Sequence, residues 1–162
     1  MNTLFRALKV AIVSLGLVTL VGIRSAGATA QEPDSLIYER QNLPLFSNPL
    51  ESYYQSGAVR PNFEFRSTAN RRGYIATWEI DNGVLYLRDI KAWIDGSEVG
   101  MDKVFPEQVG RIEAKWFTGQ LQVPQGKLLQ YIHGGYASVY EQNLIITVEA
   151  GKVAKVEVID NS

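Results

Sequence analysis

Residues 73–94 hold the pattern that most constrains the fold, because apolar and polar side chains alternate on both sides of Asp81-Asn82-Gly83. Alternation of period two belongs to a strand with one buried face, and an Asn-Gly centre accepts the two positive φ values of a type I′ turn. The segment therefore predicts a β-hairpin. With Asn82-Gly83 as the two-residue loop, Ile80 faces Leu85, Trp78 faces Leu87, Glu79 faces Tyr86 and Thr77 faces Arg88. Tyr74, Ala76, Trp78, Ile80, Leu85 and Leu87 then share an apolar face. Glu79 and Arg88 share the wet one, where they sit diagonally and can pair. A slip of one residue would bury those charges and expose the tryptophan.

The same short-run pattern continues to the C-terminus. Ile112, Ala114 and Trp116 alternate with charged residues. Gly119, Pro124-Gln125-Gly126 and Gly134-Gly135 punctuate the chain beyond Trp116, and 144–150 and 153–160 form a last β-rich pair around Gly151-Lys152. No helical pattern of roughly 10–15 residues separates these runs, which excludes a βαβ organisation. The expected class is all-β: a single antiparallel meander of about eight strands, forming a sandwich or a partly closed barrel. One or two short helical turns are expected, at Pro49–Gln55, where proline suits a first helical position, and near Val99–Phe105. Residues 61–162 read as the β domain. Residues 31–60, interrupted by Pro33, Pro44 and Pro49, read as a loosely structured N-terminal arm.

The first thirty residues have a different character. Arg6 and Lys9 precede the apolar run Val10–Ile23, and Ala28-Thr29-Ala30 follows it, which is the layout of a secretory signal peptide cleaved after Ala30. The run is shorter than the roughly 20 residues needed to span a bilayer. The expectation is export to the periplasm or the medium, with no stable membrane insertion after cleavage. The signal takes Arg6, Lys9 and Arg24 from a chain of 16 basic and 17 acidic side chains, lowering the formal net charge from −1 to −4. Nothing in that balance favours nucleic acid as a partner. Arg71-Arg72 reads as a solvated strand entrance.

The chain has no cysteine and one histidine. That inventory excludes disulfides, thiolate catalysis, zinc-cysteine sites and histidine-rich metal sets, and no cofactor is expected. A serine hydrolase of the G-x-S-x-G type is excluded because neither Ser56 nor Ser97 has that frame. Asp95, Glu98 and Asp102 are conceivable calcium ligands that do not match the EF-hand spacing. Glu79, Glu113, Glu141 and Glu149 supply carboxylates for glycoside chemistry, but no pair among them is singled out.

The candidate binding residues are Tyr131, His133, Gly134, Gly135, Tyr136 and Tyr140, with Trp93. Glycines let a ligand approach the backbone, and rigid aromatic rings offer contact area at small entropic cost. The reading is an exported non-catalytic binding module whose partner is a saccharide, a peptide or a cell-envelope protein. Two alternatives stand beside it: a small exported hydrolase using His133 with a nearby carboxylate, and an inhibitor or immunity-type partner of another exported protein.

Between Asn70 and Gly151 the motifs Arg72-Gly73-Tyr74, Ala76-Thr77-Trp78-Glu79-Ile80, Leu85-Tyr86-Leu87, Trp116-Phe117 with Gly119, Gly126-Lys127-Leu128-Leu129 and His133-Gly134-Gly135-Tyr136 occur in a fixed order. This order resembles a family of small bacterial proteins with no known activity. The resemblance implies a coherent domain and assigns no role to any residue.

Overall fold

The Asp81-Asn82-Gly83 hairpin is present: β3 (Tyr74–Asp81) and β4 (Val84–Ile94) are joined through Asn82 at φ 49° and Gly83 at φ 75°. Ile80↔Leu85, Glu79↔Tyr86 and Trp78↔Leu87 pair as the alternation requires. The wet-face pair also forms, with Arg88 Nη1 2.6 Å from Glu79 Oε1. The computed structural model describes residues 29–162, so the expected signal segment up to Ala28 lies outside the described residues.

One irregularity interrupts the hairpin. The register shifts between Thr77 and Trp78, so that Thr77 faces Asp89 rather than Arg88. An extra residue in one strand reverses its alternation from that point. Ile90 and Ala92 therefore take the buried face, while Trp93, expected on the face of Leu85 and Leu87, turns away from the core. It lies instead between the side chains of Arg66 and Lys91, with ring-to-cation distances of 5.2 and 5.4 Å.

The remaining elements are β1 (Asp34–Tyr38), β2 (Gln41–Leu45), α1 (Pro49–Gln55), β5 (Ser97–Val99), α2 (Met101–Val104), β6 (Ile112–Glu113), β7 (Gly119–Gln130), β8 (Val139–Glu149) and β9 (Lys152–Asp160). They form one nine-stranded, mostly antiparallel sheet of order β2-β1-β3-β4-β9-β8-β7, with β5 and β6 paired to β4. The sheet does not close into a barrel. Its two outermost strands approach at one point, where Phe46 N donates to Gln122 O at 2.8 Å and Gln122 N donates to Ser47 Oγ at 3.0 Å. The order departs from a plain meander because β1 runs parallel to β3, with Leu36 beside Trp78, and because β9 returns between β4 and β8.

Residues 31–60 correct the expected loose arm. They supply β1, β2 and α1, and they bring Leu36, Leu45 and Leu50 into the core with no exposed surface. Burial of each such side chain stabilises by about 1.5–3 kcal/mol, one of the contributions that oppose the entropy of ordering the segment. Pro44 is accommodated because β2 is an edge strand. Pro124 is likewise tolerated within β7, so Pro124-Gln125-Gly126 does not turn the chain. It makes an irregularity between Gln125 and Leu128, held by Lys127 N donating to Glu141 Oε2 at 2.9 Å.

The core joins both halves of the sheet: Tyr74, Trp78, Leu85, Leu87, Leu121, Val123, Ile146 and Val148 are fully buried. Helix α1 closes one end. Tyr53 packs on Trp116 at 4.8 Å between ring centres, and Trp116 Nε1 donates to Pro49 O at 3.1 Å. No helix among the described residues is long and apolar enough to cross a membrane.

Candidate functional site

Two features meet beside the 131–140 loop. The first is a groove of about 480 Å³ between the end of β2, the middle of β7 and the loop that enters β8. Tyr131, Tyr136, Tyr140 and Phe46 form its aromatic walls, with Pro33, Pro44 and Pro124 at its margins. Phe46 organises the walls: its ring stacks on Tyr136 with centres 4.9 Å apart and meets Tyr140 edge-on at 5.8 Å. None of the residues that line the groove carries a charged side chain.

The loop is pinned by its own polar groups. Ser138 Oγ accepts from Ile132 N at 3.1 Å, and Ala137 N donates to Gly134 O at 3.2 Å. Gly134 and Gly135 have φ values of 140° and 54°. Gly135 also bridges to Ala30, its carbonyl accepting from Gln31 N at 3.0 Å. In the uncleaved chain the backbone on either side of the expected cleavage position thus forms part of the rim; cleavage after Ala30 would remove Ala30 and leave Gln31 N there as the terminal amine.

Of the sequence-derived candidates, Tyr131, Gly135, Tyr136 and Tyr140 converge on the groove. His133 and Gly134 belong to the same loop but lie outside the lining. His133 is exposed and sets its ring edge-on to Tyr131 at 4.7 Å. None of the ion pairs among the described residues includes it. Trp93 is elsewhere, on β4, for the reason given by the bulge. Phe46, Pro33 and Pro44 went unrecognised because they come from the segment expected to be loose.

The second feature is a buried polar network under Tyr136. Asp34 is fully buried: Ala76 N and Trp78 Nε1 donate to its two oxygens at 3.1 Å each, and Arg72 Nη2 lies 3.3 Å away. Burial raises its pKa to about 6, against the opposing charge of Arg72. Arg72, expected to be solvated, keeps a side-chain exposure of 10%. It donates to Asn48 Oδ1, to Tyr136 Oη at 2.7 Å and to Glu32 O at 2.8 Å. Tyr136 Oη in turn donates to Asn48 Oδ1 at 3.0 Å. Burial pushes the Tyr136 phenol up, keeping it neutral. Nearby, Tyr74 Oη donates to Glu51 at 2.6 Å, and burial raises that phenol as well. Asp34 and Asn48 accept from these donors, and the network sets the position of Tyr136; the buried Arg72 Nε is left without a partner among the described residues.

Three of the other acidic candidates have local partners. Glu79 is bridged by Arg88 and Arg111, Glu113 lies beside Lys115, and Glu141 accepts from Lys127 N. Asp95, Glu98 and Asp102 do not converge. Among the described residues no three histidine or acidic side chains are placed to share a metal ion.

No family model matches the chain, and no curated protein or solved structure is significantly similar to it.

Proposed function

We propose that this protein is an exported, non-catalytic binding module whose groove takes an extended, apolar peptide segment of another exported or cell-envelope protein. The observation that carries the reading is the lining itself: four aromatic rings and three prolines with no charged side chain. Aromatic walls spaced along an open groove suit a preformed extended peptide, above all one containing proline, which loses little entropy on docking. A saccharide site would be expected to place carboxylate or amide groups beside its stacking ring; here Gln31 supplies the only side-chain amide. The signal-peptide layout of residues 1–30 supports the compartment.

The test is a titration of the isotopically labelled protein with a short Pro/Leu-containing peptide and, separately, with a neutral oligosaccharide. The peptide should shift the resonances of Tyr131 and Tyr140, and truncation of both to Ala should weaken binding at least roughly tenfold without altering the β-sheet spectrum. Binding that survives the double truncation, or that is seen only with the oligosaccharide, would overturn the reading.

A further inference from the structure

β9 is incompletely covered. It meets β4 only where Val84 faces Lys152 and where Val153 N donates to Gly83 O at 2.8 Å; beyond that point its only strand partner among the described residues is β8. The free edge is apolar for a solvent-facing strand, with Val156, Val158 and Ile159 exposed by 43, 55 and 47%. Val156 and Val158 pair with Ile146 and Leu144, both buried, so they stand on the core-side face where the core ends. An edge of this kind is a template for another strand.

The order of charges along it selects the partner. From Lys152 to Asp160 the strand reads Lys-Val-Ala-Lys-Val-Glu-Val-Ile-Asp, with its bases in the first half and its acids in the second. Placed antiparallel to a second copy about a two-fold axis at Val156, Lys155 faces Glu157 and Val156 faces its own mate, within the regular run of β9 that begins after the bulge at Ala154. A two-fold axis normal to the sheet keeps each residue on its own face, so only registers centred on a residue are possible. The two neighbouring registers set Lys155 against Lys155 or Glu157 against Glu157, and like charges directly opposite are unfavourable. Lysines on an edge ordinarily prevent pairing. In the Val156-centred register Lys155 meets the acid Glu157, and Lys152 lies beyond the bulge, where β9 is already paired to β4.

We infer that β9 is a self-association edge, joining two copies of this chain through antiparallel β9–β9 pairing centred on Val156. In the isolated chain Lys155 Nζ lies 2.6 Å from Glu157 Oε2 of the same strand, so the charges that would cross the interface are already side by side. The paired sheets would cover Val156 and Val158 and extend the apolar layer of Leu144 and Ile146 across the axis. The groove at Phe46 and Tyr140 is lined by none of these residues.

Sedimentation equilibrium on the purified protein tests this. Wild type should show a monomer–dimer equilibrium below the order of 100 µM. Lys155→Glu and Glu157→Lys should each weaken self-association roughly tenfold or more, since each sets like charges opposite one another twice across the axis. A mixture of the two variants should recover a one-to-one heterodimer, because one chain then carries only acids and the other only bases at positions 155 and 157. Circular dichroism of each variant at low concentration confirms that the monomer is folded. A strictly monomeric wild type, single variants that still dimerise, or a mixture that fails to pair would each overturn the inference.

Discussion

Asp34 offers a stability test whose sign and size follow from its surroundings. Its carboxyl is fully buried, and its pKa rises from 3.8 to about 6 on folding. An acid with a higher pKa in the folded state holds its proton more tightly there. Its stabilising contribution is thus fully present below pH 3.8 and is lost as the pH rises through about 6. The limiting effect is about 3 kcal/mol, of which about 2 kcal/mol falls between about pH 7.5 and about pH 4.5. For a domain of this size that corresponds to roughly 7 °C in Tm. Asp34→Asn removes the titration while keeping the shape. The variant is less stable throughout, by about 2–4 kcal/mol, because an amide turns an NH2 toward one of Ala76 N and Trp78 Nε1, both of which donate to Asp34. The decisive quantity is the difference in unfolding free energy between wild type and variant, measured by urea denaturation across this range. Groups that titrate alike in both proteins cancel in it. The difference should grow by about 2 kcal/mol on acidification. A difference that stays flat, or that shrinks as the pH falls, would refute the reasoning.

Two further substitutions probe the same region. Gly73 has φ 76°, and a methyl group there would run into Glu64 O and lie 2.8 Å from Phe63 Cβ. Gly73→Ala should therefore cost about 2–4 kcal/mol, read as a shifted denaturation midpoint at constant m-value; a loss below about 1 kcal/mol would contradict the packing described. Tyr136→Phe removes the hydroxyl shared by Arg72 and Asn48 and should cost about 1–2 kcal/mol. The ring stacked on Phe46 remains, so peptide affinity should change by less than roughly threefold. A larger loss in a titration of the folded variant would mean that the hydroxyl itself meets the ligand.

What could be read from the chain, and what could not, divides on the range of the interaction. Asn82-Gly83 announces its hairpin because the backbone there needs two positive φ values, and those residue types supply them. The β1–β2 turn uses the same conformation at Glu39 and Arg40, φ 49° and 65°, with no glycine or asparagine to signal it. The first hairpin therefore reads as loose chain, and Phe46, Pro33 and Pro44 are lost with it. The bulge near Thr77 has no local signature either, yet it reverses the face of everything after Asp89 and removes Trp93 from the proposed cluster. Tyr131, Gly135, Tyr136 and Tyr140 were legible as a group because they lie within one loop and the start of β8. Asp34, Arg72 and Trp78 were not, since their pairing depends on β1 lying parallel to β3 and on nothing in the flanking residues.

The run of polar contacts from Tyr136 through Arg72, its ion pair with Asp34 and on to the indole of Trp78 has an optical consequence. Its outer end is a wall of the groove, and its inner end is a chromophore at 0% exposure beside a carboxylate. Displacing the tyrosine alters the field at that indole through two intervening side chains, with no contact between ligand and tryptophan. On the proposed function, the protein would carry its own internal fluorophore for a peptide in the groove. Trp78 emission can register occupancy without a label, and Trp78→Phe identifies which part of the signal it supplies.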